Sequence, residues 1–290
     1  NSDGERFKFE NNYLPGARAM ARHVSNGGYP RDEFGTHISE IMSEENGINS
    51  ENTIPCGLDE IDRIIGGGFR RQEATIIAAT TGGGKTVLAT QVAANVAYDM
   101  RKNVVFISTE QRPFELIHRM VSSKLSIPID HLSPPDREVE MINGYPVAVW
   151  AQHGERIEQF QNSIYPHLQM VNWGTGKKNV IDDIEVLFKI INRQRFKPDL
   201  LIFDWLGGGL KESANTDRRI QLEDSANHLS RVCKGLDVAV MCLAQLNDKQ
   251  SNGCKYPTNA MLHECKTTPH RMTNAIYISS LRASEEEDTL

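Results

Sequence analysis

Short apolar runs alternate along this chain with stretches whose apolar residues recur at helical spacing. The runs Thr75-Ile76-Ile77-Ala78-Ala79, Val104-Val105-Phe106-Ile107-Ser108, Leu200-Leu201-Ile202-Phe203 and 238–243 are each too short for a helix and have no polar face, as expected of strands buried on both sides. Leu168-Gln169-Met170-Val171 and 275–279 read as two more strands. Between them, Val87, Leu88, Val92 and Val96 fall on one face of a helix running to about Met100, and Pro113 opens a helix through Leu125. Ile184, Leu187, Phe188 and Ile191 stripe a helix over 181–195, and another is expected over 220–234. Leu58 to Ile65 has helical spacing closed by Gly66-Gly67-Gly68. Residues 126–165 carry four prolines and read as loop plus one amphipathic helix near 154–163. Strand, helix, strand, helix implies right-handed parallel crossovers, and so an α/β fold with a mostly parallel central sheet flanked by helices.

Residues 1–50 are polar and broken by Pro15, Gly27-Gly28 and Pro30, with one short helix expected over 36–42. They read as an arm or linker, and 51–290 as the folded domain. The run Glu285-Glu286-Glu287-Asp288 reads as a solvated acidic tail.

Composition narrows the class. With 290 residues, 39% hydrophobic and 24% charged, the chain suits a water-soluble globular fold without a membrane span. The net charge of −6 argues against a wholly basic surface, though it leaves room for nucleic acid in a local channel. Five cysteines without a C-x-x-C pair fit a reducing compartment, and Cys233 and Cys242 lie in apolar stretches as buried thiols. Cys254, His263 and Cys265 are too sparsely spaced to argue for zinc.

The chemistry starts at the first apolar run. Ala79-Thr80-Thr81-Gly82-Gly83-Gly84-Lys85-Thr86 has the G-x-x-x-x-G-K-[ST] pattern of a phosphate-binding loop, with alanine at the first glycine. Glycines let backbone N–H groups converge on phosphate oxygens, and the helix beginning near Lys85 and running on through Val87 adds the positive end of its dipole. Lys85 is placed to reach the β- and γ-phosphates and Thr86 to hold Mg²⁺. The expected ligand is a nucleoside triphosphate. Three further residues end apolar strands, where open α/β sheets build their sites. Asp204 is a second ligand for the Mg²⁺ shell, or else a strand cap. Glu110 is a general base for water, or else a helix cap. Gln245 is an amide able to report the γ-phosphate to the loop that follows, or else a loop glutamine with no role.

In order and spacing these residues resemble the RecA-like motor domain of DnaB-type hexameric replicative helicases, over about 54–279. Cys56-Gly57-Leu58-Asp59-Glu60-Ile61-Asp62 is similar to the family's T-G-F-x-x-L-D, and Gly66-Gly67-Gly68-Phe69 to its G-G-L. Ser108-Thr109-Glu110 resembles S-L-E, and the run from Leu116 to Ser123 resembles L-x-x-R-x-x-S-S. Phe203-Asp204-Trp205-Leu206 stands for I-D-Y-L, Leu243-Ala244-Gln245-Leu246-Asn247 for L-S-Q-L-N, and Leu262-His263-Glu264 for L-R-E.

The resemblance implies a RecA-like P-loop NTPase core that hydrolyses ATP with Mg²⁺. It also implies a ring, usually hexameric, that moves on single-stranded DNA, with a primase or helicase loader as further partners. Glu110 takes the family's catalytic position. Loops over 207–219 and 247–257 would face the DNA, with Lys211, Arg218, Arg219, Lys249 and Lys255 as phosphate contacts or merely solvated charges. The family's K-x-R-x-G segment with its arginine finger has no counterpart before Leu290, so either the chain is truncated or the trans-acting arginine comes from elsewhere. A cytoplasmic bacterial or phage-encoded protein is implied, and an organellar matrix also fits. A RecA-like recombinase or mediator and a DNA-independent ATPase switch stand as the alternative readings.

Overall fold

The computed structural model describes residues 52–132, 139–142, 145–148, 152–172, 196–204, 218–247, 257–262 and 272–279. The arm 1–50, the helices expected over 36–42 and 181–195, Cys254, His263, Cys265 and the acidic tail lie outside them.

The chain enters through β1 (Thr53–Ile54), α1 (Asp59–Ile64) and β2 (Phe69–Arg70), which pairs antiparallel with β1. Then follow β3 (Ala74–Ala79), α2 (Lys85–Ala94), β4 (Val104–Ser108) and α3 (Pro113–Leu125). The hairpin β5 (Val139–Ile142) and β6 (Tyr145–Ala148) precedes α4 (Gly154–Ile164), β7 (Leu168–Asn172), β8 (Leu200–Asp204), α5 (Arg218–Leu236), β9 (Ala239–Gln245) and β10 (Asn274–Ile278). Six strands form one sheet in the order β10-β3-β9-β8-β4-β7, and every neighbouring pair is parallel. The expected mostly parallel α/β sheet is therefore present.

Strand alternation sorts the core onto two faces. Ile76, Ala78, Val105, Ile107, Leu201 and Phe203 pack with Leu222, Ala226, Leu229 and Val232 of α5. Ile77, Val104, Phe106 and Ile202 pack on the opposite face with Ala89, Val92 and Ala93 of α2 and Leu116 and Met120 of α3. Burying each of the larger side chains among them contributes roughly 1.5–3 kcal/mol, so the central strands need no polar face.

Two expectations need correction. Val87 is not inward: it is 58% exposed, because α2 begins beyond the strand tips and its first turn overhangs the sheet edge. Residues 126–165 hold the hairpin β5–β6 as well as loop and helix. Pro146 sits inside β6 opposite Met141, which a two-stranded ribbon tolerates because one side of each strand needs no ladder partner. The helix after the phosphate loop does reach Asp99, but its last five residues, Asn95–Asp99, form a π-helical turn.

Candidate nucleotide site

Parallel register puts the chemistry at one edge. Ala79 pairs with Gln245 and Ser108 with Asp204, so the loop after β3, the end of β9 and the ends of β4 and β8 share one rim of the sheet. They surround a cleft of about 380 Å³ whose lining includes Lys85, Thr86, Glu110, Asp204 and Gln245, all five expected from the sequence.

The glycine loop is shaped by two different requirements. Gly82 and Gly84 have φ of 72° and 88°, in the left-handed region where side chains are strained, and Gly84 is the N-cap of α2. Gly83 is needed for space: a Cβ there would lie 2.9 Å from Thr80 Oγ1 and 3.0 Å from Ala79 Cβ. Ala79 itself is fully buried at the end of β3, so the first position of the motif needs a small residue rather than glycine. Lys85 Nζ donates to the Ala79 and Thr80 carbonyls at 3.4 and 3.3 Å, long contacts that phosphate oxygens can replace.

Thr86 Oγ1 donates to Asp204 Oδ2 at 3.0 Å, across 118 residues of sequence. A hydroxyl and a carboxylate side by side are hard oxygen donors, the kind Mg²⁺ takes alongside water and phosphate, so this pair fits the implied metal. Asp204 is 2% exposed. Burial pushes its carboxyl up to about 6 and the Glu110 charge adds to this, while the Thr86 hydroxyl, Lys85 and Arg119 pull it back.

Glu110 is placed by its neighbour. Thr109 N–H and Thr109 Oγ1 both donate to the Asp204 carbonyl, at 2.7 and 3.1 Å, which ties the end of β4 to the end of β8. Glu110 follows this clasp and is itself exposed to the cleft. Gln245 Nε2 donates to Thr81 Oγ1 at 2.5 Å, linking β9 to the phosphate loop. The next residue, Leu246, donates its N–H to the Ala79 carbonyl at 2.9 Å and bridges Leu262. Asn247 N–H donates to the Met261 carbonyl, so the base of the segment after β9 is pinned where it leaves and where it returns.

Sequence reasoning missed three members of the site. Thr109 was legible only as part of S-T-E; its role needs β8 beside β4. Arg119 lies nine residues past Glu110, on the face of α3 that turns to the cleft, and its charge reaches Asp204. Gln111 also lines the cleft. Of the residues expected to face DNA, Lys211, Lys249 and Lys255 lie outside the described residues, and Arg218 and Arg219 form the first turn of α5 rather than the end of a loop.

With this geometry in place, comparison with known proteins is informative. The family model described as "DnaB-like helicase C terminal domain" matches residues 53–268. A "Probable plasmid replicative DNA helicase" of Chlamydia muridarum is 26% identical over 210 residues, covering 71% of this chain and 42% of the relative. The chain thus spans less than half the length of that relative. Among solved structures, one described as an "ATPase Domain" superposes with a TM-score of 0.71 at 22% identity, covering 88% of this chain and 86% of that one. A second, "The Structure Of A DnaB-Like Replicative Helicase And Its Interactions With Primase", gives 0.68 at 21% identity, covering 95% and 64%. At these identities the two superpositions speak for the fold alone.

Proposed function

Because this chain belongs to the DnaB-like helicase C-terminal domain family, we propose that it is the ATP-hydrolysing motor of a replicative DNA helicase, moving on single-stranded DNA and separating duplex. The observation that carries this reading is the Thr86–Asp204 contact at the mouth of the glycine loop, with Glu110 lining the same cleft.

Lys85 and Arg119 supply positive charge where the γ-phosphate would sit, and both oppose the charge that grows in the transition state. Thr86 and Asp204 would hold Mg²⁺, which when bound would neutralise the phosphates. The Glu110 carboxylate accepts the proton of the attacking water. Gln245 joins the phosphate loop to the pinned segment after β9, so loss of the γ-phosphate is communicated to residues 248–256. In the family's manner this segment and 207–217 would grip DNA, with Lys211, Lys249 and Lys255 as backbone contacts and Arg218 and Arg219 at the start of α5. A homo-oligomeric ring, hexameric in this reading, would place each nucleotide cleft against a neighbouring subunit. A primase or loader is the further partner implied, by likeness to the DnaB-like helicase described with its primase interactions.

The test is strand separation on a forked duplex with single-stranded tails, with Mg·ATP. Unwinding by the natural chain, lost in E110Q and K85A, is the expected result. K85A should also lose ATP binding or hydrolysis, and E110Q should bind ATP but hydrolyse it at least about 100-fold more slowly. Filaments on DNA without strand separation, or hydrolysis indifferent to DNA, would overturn the helicase reading.

A further inference from the structure

Four described side chains have a buried polar atom without a hydrogen-bond partner, and Gln111 is the one among them that lines the nucleotide cleft. The atom is its amide oxygen, Oε1. Its backbone is not free to relieve this. Gln111 N–H donates to the buried Ser108 Oγ at 3.0 Å, and α3 starts two residues later with Arg112 and Glu115 closing its first turn. An acceptor left without a donor is costly, and that cost persists in a site when a ligand completes it.

The chemistry of the cleft says which ligand. Lys85 and Arg119 carry donors only, and phosphate oxygens accept only, so these groups satisfy one another. The attacking water is different. It has two O–H donors, and both must be held if its lone pair is to point at phosphorus. Glu110, the preceding residue, can accept one. We propose that Gln111 is the second acceptor for the attacking water, its amide oxygen taking the O–H that Glu110 does not.

The balance is simple. The water oxygen bonds to the γ-phosphorus, and the bond to the β–γ bridging oxygen breaks with its electron pair leaving on ADP. The Glu110 carboxylate takes the proton and releases it to solvent. Gln111 is unchanged: an amide oxygen is too weak a base to compete for that proton, so it orients the water without diverting the transfer. To accept from the cleft, the oxygen must turn out of its buried position, and the last side-chain torsion of a glutamine is broad enough to allow such a turn.

This proposal rests on the hydrolytic reading above, and the experiment separates the two. Single-turnover ATP hydrolysis by the full chain is compared for the natural sequence, Q111M, E110Q and the double variant, with ATP affinity and melting measured alongside. Methionine keeps the length of the side chain and removes the acceptor. Q111M should slow hydrolysis about 10- to 100-fold while ATP affinity stays within about twofold. The double variant should be no more than about threefold slower than E110Q, because both residues act on one water. Losses that multiply would overturn the shared water. A weakened affinity with an unchanged rate would place Gln111 on the nucleotide instead, and an unchanged rate would remove it from the site. If Q111M melts early, Q111A gives the same reading. E110Q hydrolysing normally would sink the catalytic site itself, a different failure.

Discussion

Asp204 is the residue at which function and stability pull apart. Its carboxyl is raised from an ordinary 3.8 to about 6 because it is buried, with Glu110 adding like charge. A raised acid means that the folded protein holds its ionised form at a disadvantage. The penalty is complete above about pH 6, shrinks as pH falls toward 4 and vanishes where both folded and unfolded chains are protonated. At pH 8 it amounts to at most about 3 kcal/mol. D204N removes the charge and leaves an oxygen able to accept from Thr86. Without added magnesium, D204N should therefore be more stable than the natural chain at pH 8, with the difference mostly gone near pH 4.5. Denaturant midpoints at the two pH values check this. Mg·ATP should stabilise the natural chain and not D204N, which also loses hydrolysis. Equal stability at both pH values would mean that the buried carboxylate carries no penalty. A bound metal would relieve that strain.

At the scale of elements, the lead-in segment Cys56-Gly57 is clamped from two sides. The Asp62 carboxylate accepts both backbone N–H groups, from Cys56 at 2.7 Å and Gly57 at 3.0 Å. Asn95, on the π-turn that ends the phosphate-loop helix, donates Nδ2 to both carbonyls at 2.9 and 3.2 Å and accepts from Gln91 Nε2 at 2.8 Å. The extra residue of a π-turn is what lets a helix present this side chain toward the segment. Gly57 is required here, since its φ is 74° and a Cβ would meet Asn95 Nδ2 at 2.7 Å. Cys56 is a bystander whose thiol burial pushes up to about 12, far from reactivity. N95L keeps the volume but strands two carbonyls. It should lower unfolding stability by about 2–4 kcal/mol in chemical denaturation, while the ATP affinity of the folded fraction is retained. A loss under about 0.5 kcal/mol would show that water replaces the amide.

For the molecule as a whole, the question is how the nucleotide and the DNA loops would be joined. The cleft and the segment after β9 share β9 itself: Gln245 holds Thr81, and the next residue holds Ala79 and Leu262. Coupling through so short a path predicts that Q245A still binds ATP, within about threefold, but loses most of the stimulation of hydrolysis by single-stranded DNA. Hydrolysis rates with and without an oligonucleotide check this, and stimulation that survives would move the coupling elsewhere. No helix among the described residues is long and apolar enough to cross a membrane.

The sequence alone determined the fold class and most of the site, because both rest on local pattern. Doubly buried strands must be short apolar runs. A phosphate loop must carry glycines beside G-K-T, and catalytic carboxylates of such sheets fall where apolar runs end. Asp204, Glu110 and Gln245 were therefore legible where apolar runs end, and Lys85 and Thr86 in the glycine loop. Tertiary structure alone decided which tips are neighbours, because register between strands more than 90 residues apart has no local signature. That register sets Thr109 against the Asp204 carbonyl, turns Arg119 into the cleft and leaves Gln111 Oε1 without a partner. It also left Val87 outside the core, since helical spacing gives a face but not where the sheet ends beneath it. The β5–β6 hairpin stayed hidden for a related reason: its Pro146 breaks a strand pattern that only pairing with a partner strand makes tolerable.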